Sequence, residues 1–190
     1  DRAASILQEV LDMAPLDVDV RISLIELLEE ENRWDEALTN YVSLAETYQQ
    51  LGDFDRASDT FQASERLARR INAPAERIAE IKHFTADIHQ MRLNTRAAQA
   101  VYEEILADAP EDEKALRSLV DIYYTQGNQG EAIKRLDKLL SVYAKQSKIN
   151  KIVSLLQQLV ASSPVESALR QRLASIYRRR GMKDEAIEQL

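Results

Sequence analysis

The sequence has 190 residues, with 25 Lys and Arg against 32 Asp and Glu and a net charge of −7. It contains no cysteine, which excludes a disulfide framework and any thiolate metal site. No apolar run nears the roughly 20 residues that a membrane span requires, so a soluble chain without membrane contact is expected. The first 95 residues carry 19 acids and 10 bases, the last 95 carry 13 and 15. An acidic first half argues against nucleic acid, which requires a continuous basic surface. The lack of cysteine fits a cytoplasmic location, and no signal peptide is visible. The chain begins without Met and is expected to be a fragment of a longer protein.

Four Gly, four Pro and frequent Ala, Leu, Glu, Gln and Arg favour helix throughout. In chain order the periodicity predicts helices over 2–13, 18–31, 34–50, 53–71, 75–91, 94–108, 112–126, 129–145, 148–162, 165–180 and 183–190. In "DVRISLIELLEEE", Ile22, Leu24, Ile25 and Leu28 share one face. In "DEKALRSLVDIYYTQ", Ala115, Leu116, Leu119, Ile122 and Tyr123 do the same. Gly52, Gly127 and Gly181 are placed to end helices with a positive φ. Pro15, Pro110 and Pro164 follow other helices, which they cannot continue. The gaps are short, so neighbouring helices are expected to run antiparallel.

A repeat lies under this pattern. Ala3 to Ala37, Ala98 to Ala132 and Ile152 to Ala186 are each 34 residues apart. A shift of 95 superposes Ala3 on Ala98, Pro15 on Pro110, Leu24 on Leu119 and Tyr48 on Tyr143. The expected organisation is one repeat array over 1–190, made of two approximate super-repeats, 1–95 and 96–190. In "RAAQAVYEEILADAPED", Ala98 is followed by Tyr102 and Pro110. "LVDIYYTQGNQGEAIKRL" and "LASIYRRRGMKDEAIEQL" carry Tyr123, Gly127, Ala132 and Tyr177, Gly181, Ala186. This helix–turn–helix pattern resembles the tetratricopeptide repeat. The resemblance implies an all-α solenoid of antiparallel helix hairpins, about 11 helices wound as a right-handed superhelix. The repeat alanine is expected where two helices approach closely, with the large residue four places on filling the space between hairpins. The sequence departs from even repetition after residues 52 and 147. Ala37 to Ala57, and Ala132 to Ile152, span only 20 residues. The helices at 34–50 and 129–145 are therefore each shared by two motifs, and Trp34 is expected in a turn.

No catalytic constellation is legible. His83 and His89 are six residues apart and point to different helix faces, unlike a metal pair. "GNQG" lacks the strand and Lys of a phosphate loop, and the carboxylates of "ELLEEE" suit a solvated face. The expectation is a non-enzymatic chain with no metal and no cofactor. The resemblance implies a groove lined by the first helix of each hairpin. Its lining would be Glu26 and Glu29, then His83, Asp87 and Gln90, then Lys114, Arg117, Asp121 and Tyr124, then Gln171 and Arg178. That lining passes from acidic to basic and suits a peptide of the opposite polarity. It does not suit the carboxylate tails of heat-shock chaperones, which Glu26 and Asp87 would repel. Arg178, Arg179, Arg180 and Lys183 form a basic cluster that could grip an acidic partner. Ile6, Leu7 and Val10 near one end, and Ile187 and Leu190 at the other, are expected to be partly uncovered, a route to self-association. The expected function is a protein-interaction scaffold binding a partner peptide or helix. A ligand-sensing module controlling an effector domain and a self-assembling structural module are the alternatives.

Overall fold

The computed structural model describes residues 2–162, 167–179 and 181–189. Among these residues there are eleven α-helices and no strand. They are α1 Arg2–Met13, α2 Val18–Glu30, α3 Trp34–Gln50, α4 Phe54–Arg70, α5 Ala75–Met91, α6 Thr95–Asp108, α7 Glu113–Thr125, α8 Gln129–Lys145, α9 Ile149–Ser162, α10 Ser167–Arg179 and α11 Lys183–Glu188. The predicted helices through 148–162 agree to within one residue at each end. Pro164, Arg180 and Leu190, named above from the sequence, lie outside the described residues. The chain divides into two compact units, Asp1–Ala132 and Ile133–Leu190.

In the first unit each helix from α1 to α7 packs on its neighbours in sequence. Helix α3 packs on both α2 and α4, as every interior helix of the unit packs on the helix before and after it. In the second unit α10 packs on both α9 and α11. The repeat alanines from Ala37 onward carry the close approaches: Ala37, Ala57 and Ala98 are fully buried, as are Ala132 and Ala174, whereas Ala3 is exposed and Ala4 beside it is the buried residue. Four residues after Ala57 and Ala98, Phe61 and Tyr102 are 0% and 1% exposed. Phe61 stacks on Phe84 of α5 with ring centroids 5.2 Å apart. A methyl side chain lets two helix backbones approach, and the ring one turn on fills the space that results. Tyr41, in the same position after Ala37, is only partly buried.

One turn geometry is used again and again. Residues 32, 52, 72, 93, 127, 147 and 181 each have φ between +54° and +77°. The following residue sends its N–H back five positions, as in Asp53 to Tyr48 (2.8 Å), Asn94 to His89 (2.8 Å) and Asn128 to Tyr123 (2.9 Å). This closes the orphan carbonyls of the outgoing helix. The side chains of Asp53, Asn94 and Asn128 then cap the next helix by accepting the N–H of Arg56, Ala97 and Glu131. Among the described residues three of the seven with positive φ are glycine; the others are Asn32, Asn72, Leu93 and Ser147. Trp34 corrects one expectation. It is the first residue of α3 rather than a turn residue, and the Arg70 guanidinium sits 4.4 Å from its ring centre.

Candidate functional site

The first unit has a cavity of about 480 Å³ between the first half of α5 and the corner joining α6 to α7. Helix α5 contributes Ala75, Glu76, Ala79, Glu80, His83 and Phe84; the corner contributes Asp108, Ala109, Asp112 and Lys114. Local sequence explains the placement. Glu76, Glu80 and His83 recur at helical spacing on one face of α5. Asp112 is held in place as the N-cap of α7, accepting the N–H of Ala115 at 2.7 Å.

The polar groups of α5 and α7 meet across the cavity. His83 Nε2 lies 3.0 and 3.1 Å from the two Asp112 carboxylate oxygens. Lys114 Nζ donates to Asp87 Oδ2 at 2.8 Å, and Tyr102 of α6 donates to Asp87 Oδ1 at 3.3 Å. Burial opposes ionisation of Asp112, but His83 and the backbone N–H groups of Ala115 and Lys114 outweigh it and hold the carboxyl below its ordinary range. Burial, and then the Asp87 carboxylate, push the Tyr102 hydroxyl up to about 12 against the pull of Ser118. Behind the cavity Lys82 is 3% exposed. Its Nζ lies 3.1 Å from Glu104, 3.6 Å from Asp108 and 3.8 Å from Glu65, tying α5 to α6 and α4.

The structure brings together part of the lining expected from sequence. His83, Asp87 and Lys114 share one cluster. Arg117 and Asp121 continue along α7, where their charges attract. Tyr124 follows, half-buried, and Gln90 is exposed at the end of α5. Glu26 and Glu29 belong to a different group: Glu29 accepts the Tyr41 hydroxyl at 3.3 Å, and both glutamates act electrostatically on that hydroxyl together with Arg70. Gln171, Arg178 and Arg179 are exposed on α10 of the second unit, and Lys183 is exposed at the start of α11. His89 does not join His83. It is partly buried, and burial followed by the Arg92 charge lowers its pKa. Among the described residues no group of three or more His, Asp and Glu is placed to hold a metal ion. The residues missed from sequence are Glu76, Glu80, Phe84 and Asp112; their signals were the α5 stripe and the capping Asp before Ala115. A larger depression of about 810 Å³ lies at the turns around Asn32–Glu36 and Arg70–Asn72. There Arg33 is bound to Glu31 at 2.8 Å and to Glu36 at 2.6 Å, and Arg70 lies over the Trp34 ring.

Three tetratricopeptide repeat models match residues 1–45, 38–70 and 94–154. The chain belongs to the tetratricopeptide repeat family. Solved structures agree on the fold of the array. A tetratricopeptide repeat protein from Parabacteroides merdae ATCC 43184 is 14% identical, matched over 100% of this chain and 78% of its own, with a TM-score of 0.59. MamA from Desulfovibrio magneticus RS-1 is 16% identical, matched over 100% and 92%, with a TM-score of 0.51. At such identities the likeness is one of fold. No curated protein matches the sequence. Tetratricopeptide arrays are in general non-catalytic interaction modules, and no helix among the described residues is long and apolar enough to cross a membrane.

Proposed function

We propose that the chain is a non-enzymatic interaction scaffold that holds an extended segment or a helix of a partner protein against the face made by α5 and α7. One observation carries this reading. Two helices from successive hairpins place polar side chains around one open cavity with an apolar floor of Ala75, Ala79, Phe84 and Ala109. Concave, mostly apolar sites with a few fixed polar groups are where ligands bind. Repeat arrays present such surfaces because each repeat contacts only its neighbours and leaves one face free.

The test is capture of a partner by the immobilised 190-residue chain, compared with an Arg117→Glu variant. Arg117 is exposed, so helicity and melting temperature are expected to hold. A partner bound by the native chain and lost by the variant is the expected result. Equal capture by both would place the interaction elsewhere, first on the exposed Arg178, Arg179 and Lys183 of the second unit.

A further inference from the structure

We propose that the cavity between α5 and the α6–α7 corner is a slot for one arginine or lysine side chain of the bound partner segment. The inference deepens the scaffold reading and rests on it. The floor is the first argument. Ala75, Ala79 and Ala109 stop at Cβ, and the opening they leave, closed on one side by Phe84, measures about 480 Å³. A methylene stem covers such a floor while its charged head remains at the mouth.

Charge is the second argument. Four carboxylates line the cavity, those of Glu76, Glu80, Asp108 and Asp112, against a single ammonium, Lys114. Lys114 is itself held by Asp87 at 2.8 Å. Glu80 is shared with Arg77 at 2.6 Å and Asp108 with Lys82 at 3.6 Å, while Glu76 is exposed. A carboxylate ligand would meet four like charges in this lining, a cation only one, the ammonium already held by Asp87.

Hydrogen bonding is the third. His83 Nε2, at 3.0 Å from an ionised Asp112 oxygen, carries the ring hydrogen. The other ring nitrogen, Nδ1, is buried with no hydrogen-bond partner. The acceptors that the wall offers are the carboxylate oxygens of Glu76, Glu80, Asp108 and Asp112. Guanidinium and ammonium groups are donors only, five N–H in one and three in the other. A bare metal ion would make no use of the alanine floor, and no three ligating side chains converge among the described residues.

The test uses the full chain, ¹⁵N-labelled, titrated with N-acetyl-argininamide, N-acetyl-lysinamide, N-acetyl-norleucinamide and putrescine. The two cationic amino-acid probes are expected to give saturable shifts at Ala75, Ala79 and Ala109. Binding should weaken about tenfold in Glu76→Gln/Glu80→Gln, as the loss of two partly solvated ion pairs implies. It should vanish in Ala79→Leu, which fills the floor and leaves every charge in place. No saturable shift with either cationic probe, equal binding of the norleucine probe, or unchanged binding in Ala79→Leu would overturn the slot. Putrescine displacing the arginine probe at equal concentration would assign the cavity to a free amine instead and overturn the peptide source. Partner capture lost in Arg117→Glu but intact in Ala79→Leu would also remove the slot while leaving the scaffold standing.

Discussion

Leu93 occupies a backbone conformation that its side chain opposes. Its φ is +57°, and the side chain is 88% exposed, so packing returns little of the cost. An L-residue held in the left-handed region loses about 1–2 kcal/mol to the clash of Cβ with the following carbonyl. Leu93→Gly removes that clash. Glycine loses about 0.4–1 kcal/mol more backbone entropy on folding, which leaves a net gain of about 0.5–1 kcal/mol. For a chain of this length that raises the melting midpoint by about 1–4 °C. The assay is urea and thermal unfolding followed by helicity, with Leu93→Ala as the control. Alanine removes the exposed hydrophobic side chain but keeps the Cβ, so it is expected to behave like leucine. Gly52 supplies the reverse experiment. Its φ is +77°, and a methyl group added there would meet no heavy atom within 4 Å. Gly52→Ala should therefore cost about 1 kcal/mol by backbone strain alone. A Leu93→Gly chain no more stable than Leu93→Ala would refute the strain argument.

Other substitutions test the packing and the charges. Lys82→Met should change stability by less than about 1 kcal/mol, because Glu104 and Asp108 are 63% and 53% exposed and regain water, and Glu65 keeps Arg69 at 3.0 Å. Lys82→Ala should cost about 2 kcal/mol in urea unfolding through the cavity left by the stem. Asp112 has a folded pKa below its unfolded value. Its contribution is therefore fully present above about pH 4 and is lost as pH falls through the folded pKa. Melting curves of the native chain and Asp112→Asn should differ at pH 6 and converge toward pH 2. Phe61→Ala, at a fully buried ring stacked on Phe84, should cost about 3–4 kcal/mol in the same unfolding assay. Self-association through Ile6 and Ile187, 52% and 69% exposed, predicts concentration-dependent sedimentation that Ile6→Glu or Ile187→Glu suppresses; a concentration-independent monomer would rule it out.

The helices were legible because a 34-residue spacing of Ala, an aromatic residue and Gly or Pro is a packing instruction written in residue size. Gly52, Gly127 and Gly181 announced their turns, since only glycine adopts a positive φ without cost. Leu93 and Ser147 make the same turn silently. There the returning hydrogen bonds, Asn94 to His89 and Lys148 to Tyr143, outweigh a local preference of a kcal/mol or so. The site was half legible. Family resemblance pointed to the face of α5 and α7, and His83, Asp87 and Lys114 do meet there. Asp112 announced itself as a cap, but its bond to His83 spans 29 residues, and no local pattern encodes that distance. Glu26 and Glu29 look equivalent to the cluster in sequence, yet Glu29 accepts the Tyr41 hydroxyl and both act on that group instead.

The sharing of α3 between α2 and α4 has a directional consequence. Tight turns make each helix reverse its predecessor. Helices two apart, such as α5 and α7, therefore point the same way, whereas α2 and α5, three apart, point in opposite ways. The shared helix acts as a phase slip in the array. A peptide threaded N-to-C along α7 and α5 would meet the dipole and side-chain slant of α2 reversed, so its register cannot simply continue. For the partner segment proposed above, that slip would bound the footprint, and a short motif would suit it better than a long one.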